Sequence, residues 1–316
     1  MNPISIGRNI SASKVFRLIH WIIRQKILNQ ENCVVNVQGF KMCLDLRVPG
    51  ISRTLAIHGI READHTEIFR RELEPGMVVV DIGANIGYYA LIAARAVGHT
   101  GKVYCLEPDP RNISLLQKNV QLNGLGEIVE IHQIAASNRA GEATMFQAMA
   151  SNLNTLVDRS HLKSSGTGKL TGTEVPVPTT TIDQFLESRG GMVNFIRMDI
   201  EGYEVEALTG MMQTLQNSPP PCKILLETHP QIYTDERNFA GVLDRLLQLS
   251  FVPKGLVSAG EPTPAPFAKR GYKPTQIFRD GAFQRGYYEK VTNQDVVSLT
   301  TRMPKVVRYL LLIKED

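Results

Sequence analysis

Four cysteines in 316 residues, none at CxxC spacing, leave this sequence with no thiolate metal motif and no disulfide framework. So few thiols fit a reducing compartment, and a cytoplasmic location is the expectation. Long apolar runs are missing too. The most apolar early stretch, "KVFRLIHWIIRQKIL" (14–28), is interrupted by Arg17, His20, Arg24 and Lys26, whereas a bilayer span needs about 20 apolar residues. A secretory leader is not expected, because the first dozen residues are polar and lack an apolar core with a cleavage site. Neither sign of charge is in excess. The 35 Lys and Arg against 31 Asp and Glu give a net +4, with the cations scattered rather than striped. Nucleic acid is therefore not the expected partner. There is no internal repeat.

What is present is ordinary globular material, 43% hydrophobic and 21% charged. In 14–28, helical spacing puts Val15, Phe16, Ile19, Ile22, Ile23 and Ile27 on one face and Arg17, His20 and Arg24 opposite. Two readings follow: a helix packed on its own domain, or a basic amphipathic helix making peripheral membrane contact. A hairpin around Gln38-Gly39 follows, and residues 1–59 are expected as a helix and hairpin extension of a main domain, 60–316. Asp64 and Glu67 have capping-box spacing, which predicts a helix from about residue 65. From there strand and helix patterns alternate: "MVVVDIG", "YYALIAARAV", "KVYCLEP", then a helix with Asp109 as N-cap and Pro110 first, then "IVEIHQIAA". Residues 137–180 read as polar loop with one strand, "EATMFQA". "SSGTGKLT" (164–171) lacks the first glycine and the Ser or Thr of a phosphate-binding loop, so it reads as a plain loop. Alternation then resumes with strands "VNFIRMDIEG" and "KILLETHP", "EVEALTGMMQTLQ" as one helix between them, and a final strand "VVRYLLLIKE". This order predicts a doubly wound, mainly parallel α/β sheet.

The stretch "VVVDIGANIGYYALIAARA" (78–96) runs from a strand through a glycine turn into a helix. A dinucleotide loop needs G-x-G-x-x-G to close on a pyrophosphate. Here Asp81 and Asn85 replace its first two glycines. A carboxylate repels phosphate but suits a ligand with an ammonium group, a ribose and no phosphate, which describes S-adenosylmethionine. Gly83 and Gly87 let backbone approach the ligand, and the helix start after them suits its carboxylate. Glu107 ends the next strand 26 residues after Asp81, where a carboxylate can accept from both ribose hydroxyls. Ala84, Tyr88, Pro108 and Ala135 complete the expected cofactor wall. A NAD-dependent oxidoreductase is the enzyme alternative and would need glycine at 81 and 85. A non-catalytic cofactor-binding scaffold is the other.

Those segments, with "LEPDPRNISLLQKNVQLNG", "TTTIDQFLE", "FIRMDIEGYEVEALTGM" and "ILLETHP", resemble the FkbM family of S-adenosylmethionine-dependent methyltransferases over roughly 60–230. Asp-x-Gly-x-Asn-x-Gly is widespread among methyltransferases; its combination with Asp-x-Glu-Gly-x-Glu is particular to this family. The resemblance implies a class I methyltransferase (Rossmann-like) fold with a seven-stranded sheet and a terminal antiparallel hairpin. It also implies O-methylation of a sugar, glycolipid or polyketide acceptor. The family commonly has Lys where this chain has Arg197.

Methyl transfer to a hydroxyl needs the acceptor held in line and its proton removed. In open α/β sheets the ligand lies beyond the carboxyl ends of the strands. That singles out Arg197, Asp199 and Glu201 at one strand end, and Glu227 and His229 at the next. Asp199 is the central candidate and also faces the cofactor, and His229 or Glu227 would assist. Asp199 and Glu227 could instead hold Mg²⁺, a version no ligand spacing requires and which is not favoured. Asn152 and Asn154 are read as a loop over the site, and Glu204 as a helix-start residue. The histidines 20, 58, 65, 99, 132 and 161 have no partner pattern and read as surface or packing residues.

Overall fold

Apolar strands bounded by tight turns build one large twisted sheet with helices on both faces. The computed structural model describes residues 12–159, 169–280 and 283–315. The chain starts with α1 (Ala12–Ile22), a π-helical turn (Ile23–Ile27), β1 (Asn32–Val37), β2 (Phe40–Asp45), α2 (Ile51–His58) and α3 (Ala63–Glu72). The alternating part follows as β3 (Val78–Ile82), α4 (Tyr88–Val97), β4 (Lys102–Leu106), α5 (Pro110–Leu122) and β5 (Val129–His132). A side sheet is formed by β6 (Ala135–Ala136), β7 (Gly141–Ala148) and β8 (Leu170–Thr180). Then come α6 (Ile182–Glu187), β9 (Phe195–Met198), α7 (Glu204–Thr209), α8 (Met212–Asn217), β10 (Lys223–Glu227), α9 (Phe239–Gln248) and β11 (Phe251–Ser258). The chain closes with α10 (Ala265–Ala268), β12 (Gln276–Asp280), β13 (Phe283–Tyr288), α11 (Asn293–Thr301) and β14 (Val307–Lys314).

The main sheet has the order β12-β13-β11-β14-β10-β9-β3-β4-β5. Strands β5, β4, β3, β9 and β10 are parallel, and β14 runs antiparallel between β10 and β11. The seven expected strands are therefore present in class I order. The hairpin β12–β13, from a stretch with no recognisable pattern, extends the edge to nine. Neighbouring residues along each strand point to opposite faces. Val79, Val103 and Cys105 enter the core under α3, α4 and α5, while Val80, Tyr104 and Leu106 enter the core under α6 to α9.

Local signals explain the element ends. The Asp109 carboxylate accepts from Arg111 N at 2.8 Å and caps α5, with Pro110 at the first helical position. The predicted capping box fails. α3 starts at Ala63, two residues early, after Glu62 in a left-handed conformation, and Asp64 instead pairs with Arg285 at 3.0 Å. The single helix expected over 204–216 is two, α7 and α8. Gly210 interrupts them where a Cβ would lie 1.9 Å from the Ser137 carbonyl oxygen. The stretch 137–180 is not mostly loop either: β8 pairs with β7 along its length and with β6 at Thr179 and Thr180. Pro176 and Pro178 disguised that strand, and they are tolerated because β6 pairs only with its last two residues. The "SSGTGKLT" loop falls largely outside the described residues, as do His161 and the first eleven positions.

The apolar stripe of α1 does not pack on the body. Leu18, Trp21 and Gln25 face inward instead, with Trp21 buried and Gln25 Nε2 donating to the Leu46 carbonyl. The hairpin is held more firmly. Asn119 of α5 accepts from Cys43 N at 2.6 Å and donates to the carbonyls of Cys43 at 3.3 Å and Ile86 at 2.8 Å. One buried amide thus ties the hairpin edge to the turn between β3 and α4. Asn119→Ala leaves these groups without partners, and a buried unsatisfied group costs about 1–3 kcal/mol. A loss of about 2–4 kcal/mol in urea unfolding is expected; a change within a few tenths would show that the hairpin is held by its apolar contacts alone.

Candidate active site

The turn after β3 is shaped by three residues with positive φ: Gly83 at 79°, Asn85 at 52° and Gly87 at 90°. Asn is the side chain that best tolerates this region, so Asn85 can stand where a dinucleotide loop has glycine. Gly83 cannot be replaced, because a Cβ would lie 2.2 Å from the Asp199 carbonyl oxygen. A Cβ on Gly87 would lie 2.4 Å from Leu116. Glu107 organises the facing wall. Its carboxylate accepts from Asn85 N at 2.8 Å, Asp109 N at 2.9 Å and Asn112 Nδ2 at 3.2 Å. Burial outweighs these bonds and pushes its pKa up to about 7.

Arg197 of β9 lies opposite Asp81 of β3 in the parallel register. Its guanidinium donates to Asp81 Oδ1 at 3.2 Å, the Gly83 carbonyl at 3.1 Å and Asp199 Oδ2 at 2.7 Å. It also stands 4.2 Å over the Tyr89 ring. Asp81 is fully buried under the cleft floor and does not line it. Burial pushes its carboxyl up despite Arg197. Burial opposes ionisation of Asp199 as well, but there Arg197 prevails and holds the carboxylate below its usual range. Asp199 Oδ1 is buried without a hydrogen-bond partner.

These residues border a single cleft. Of the expected cofactor set, Gly83, Ala84, Asn85, Tyr88, Glu107, Pro108, Ala135 and Asp199 line it, whereas Gly87 and Asp81 stand behind it. Asn152 and Asn154 line it as the loop reading expected. Asn154 Nδ2 donates to Asp109 at 2.8 Å, and Asn152 accepts from Ile51 N at 3.2 Å. Sequence reasoning missed Arg61 and Tyr203 on the cleft wall. The Arg61 guanidinium is 3.0 Å from Glu62 and 4.0 Å from Asp199. Nothing in "GIREADH" marks it, since its neighbours in the cleft are far away in sequence.

Arg197, Asp199 and Glu201 line the cleft; Glu227 and His229 do not. Glu227 faces Arg308 at 3.4 Å, and burial pushes its pKa up to about 8. His229 Nδ1 is 3.0 Å from Glu204 and its Nε2 is 3.6 Å from Glu201. Burial disfavours the imidazolium, yet Glu204 and Glu201 together raise its pKa to about 10. Its two carboxylate neighbours thus favour the imidazolium, and His229 stands as their ion-pair partner. Glu201 has a left-handed φ of 54° and an ion pair with Arg159 at 3.4 Å. Burial raises its pKa more than His229 lowers it. Glu204 sits at the start of α7, accepting from Gly202 N at 2.9 Å and from the Tyr233 hydroxyl at 3.1 Å. Among the described residues no three His, Cys, Asp or Glu side chains converge to hold a metal ion. His65 is buried against Tyr89 and Tyr309 as a packing residue.

Strand order and family together define a class I S-adenosylmethionine-dependent methyltransferase. The chain belongs to the FkbM methyltransferase family, whose domain model matches residues 81–253, more than half of its length. A hexuronic acid methyltransferase, AglP, from Haloferax volcanii is 26% identical over 209 residues, covering 65% of this chain and 78% of that protein. Methyltransferase 1 from Beauveria bassiana is 26% identical over 147 residues, covering 42% of this chain and 57% of that protein. Among solved structures, an O-methyltransferase from Bacillus cereus in complex with SAH aligns with a TM-score of 0.41 at 10% identity, covering 81% and 82% of the two chains. The family assignment removes the nicotinamide alternative.

The buried imidazolium gives stability a definite pH dependence. His229 titrates near 6.5 when unfolded and near 10 when folded. A raised pKa stabilises the fold fully below the unfolded value and is lost as pH rises through the folded one. The stability gap between wild type and His229→Asn is therefore expected to be largest near pH 6.5 and to shrink toward pH 10. Thermal unfolding across that range reads it directly, and a gap independent of pH would mean that His229 is neutral in the fold.

Proposed function

We propose that this chain methylates a hydroxyl oxygen of an acidic sugar, with Glu201 as proton acceptor and Asp199 as the fixed anion beside the cofactor. One observation carries the division of labour. Two carboxylates share one cleft, and their surroundings push them apart: Asp199 down, through Arg197, and Glu201 up, through burial. Pairs separated in this way are how one site obtains both a permanent charge and a group that more readily takes up a proton.

The residues present fit S-adenosylmethionine. Glu107 offers a carboxylate to the ribose hydroxyls, and Ile82, Leu106 and Ala136 offer an apolar surface to the adenine. The unpartnered Asp199 Oδ1 offers an acceptor for the ammonium group. Bound there, the cofactor supplies an electrophilic methyl group, and the rest falls to the chain. Glu201 takes the hydroxyl proton. His229, held by Glu204, fixes the Glu201 carboxylate from behind and is a positioning residue. Arg61, on the cleft wall beside Asp199, is the cation for the acceptor's own carboxylate. The acidic sugar is suggested by the hexuronic acid methyltransferase among the relatives.

A screen of uronic acid glycosides with radiolabelled S-adenosylmethionine tests the acceptor; labelling of neutral sugars alone would discard Arg61 as its clamp. With an acceptor in hand, Glu201→Gln is expected to lower kcat by roughly 10²–10⁴-fold with cofactor affinity nearly unchanged. Asp199→Asn should mainly weaken cofactor binding. In wild type, activity should be lost as pH falls through a Glu201 pKa above that of an ordinary glutamate. The reverse split between the two variants would make Asp199 the base.

Cofactor affinity carries its own pH signature. Glu107 must be ionised to accept from both hydroxyls, and in the free protein its pKa stands at about 7. Below that pH, calorimetry should show S-adenosylmethionine binding weaken by up to about tenfold per pH unit. Glu107→Gln should bind more weakly and show a flatter profile. Identical profiles would take Glu107 out of the cofactor site.

A further inference from the structure

The outward face of α1 and the turn that continues it is an apolar feature that the methyl-transfer site leaves unused. Val15, Phe16, Ile19, Ile22, Ile23 and Ile27 run along it and are between 38% and 72% exposed. The opposite seam, Leu18, Trp21 and Gln25, holds the helix to the body, so the stripe is presented outward rather than left over from packing. Contiguous patches of this kind on a water-facing helix mark a surface that binds something.

Charge selects the partner. Residues 1–30 contain five Lys and Arg and no Asp or Glu, and four of the cations, Lys14, Arg17, Arg24 and Lys26, lie on α1 or the turn that continues it. A second copy of the chain would bring the same cations face to face with no carboxylate between them, because a two-fold interface pairs a patch with itself. An anionic bilayer supplies both parts of the complement: hydrocarbon for the stripe and negative headgroups for its rim. Among the described residues no helix is long and apolar enough to cross a membrane, so contact would be in the plane of the surface. We propose that α1 seats the protein on an anionic lipid surface. The placement suits an acceptor carried by that surface. α2, which packs against α1, begins at Ile51 on the cleft wall, and Arg61 on the same wall lies three residues beyond its end.

The proposal rests on the helix and not on the methyl-transfer reading, and its test reads no activity. The full chain is sedimented with vesicles of phosphatidylcholine alone or mixed with phosphatidylglycerol, at low and at high salt. Binding to the mixed vesicles is expected to exceed binding to phosphatidylcholine by at least about tenfold and to fall as salt screens the cations. Ile19→Asp/Ile23→Asp should lose it by a similar factor while retaining the wild-type circular dichroism and S-adenosylmethionine binding, since both side chains are exposed. Arg17→Gln/Lys26→Gln should lose the preference for phosphatidylglycerol. Three results would each overturn the proposal: no binding to mixed vesicles, equal binding by the Asp variant, or a wild-type dimer in sedimentation velocity that the Asp variant dissolves without any lipid binding.

Discussion

The site depends on one guanidinium. Arg197 is buried between the carboxylates of Asp81 and Asp199 and also holds the Gly83 carbonyl. It thereby locks the end of β3, the turn that follows and the end of β9 into one rigid body. Without it, two carboxylates would remain in a dry interior, a defect worth about 3–5 kcal/mol for a broken buried pair. A lysine at this position would be a point charge on a flexible stem. The planar fork of arginine reaches three oxygens at once and stacks on Tyr89 as well. The charge is kept, and the turn is held more tightly.

That lock explains why the glycine at 83 and the aspartate at 199 belong together. The turn approaches β9 so closely that any side chain at 83 would strike the Asp199 backbone. Asp81, read from the sequence as a direct cofactor contact or one through water, acts from beneath instead. It anchors Arg197, which positions Asp199, and the cleft sees these two but not Asp81. Much the same holds for His229, which reaches the cleft through Glu201. Burial divides the motif residues into those that line the cleft and those that hold the others.

The legible parts were those with local causes. Strand and helix alternation, the Asp109 cap and the glycine turn after β3 each arise from a few adjacent residues. What escaped was decided elsewhere in the chain. β8 carries two prolines and too few apolar residues to read as a strand, and only its partner β7 makes it one. Asp64 had the right spacing for a cap, yet Arg285, 221 residues away, claimed it. Arg61 is on the cleft wall because Glu62 and Asp199 draw it there, a grouping that no window of sequence contains. The helix stripe was visible, but its period fits an inward or an outward face equally. Only the inward position of Trp21 decides between them.

Environment, rather than residue type, sets the chemistry available in the cleft. Asp199 and Glu201 are two positions apart, carry the same functional group and are both partly buried. They differ in their cations. Asp199 has Arg197 at 2.7 Å in a hydrogen bond, whereas Glu201 has His229 at 3.6 Å and Arg159 at 3.4 Å. The closer and better aligned charge overrides desolvation; the looser pair does not. His229 in turn stays charged because Glu204 is closer to it than Glu201 is. A short contact at one end of this chain of charges thus leaves a long one at the other. With that slack, burial raises the Glu201 pKa more than its cations lower it.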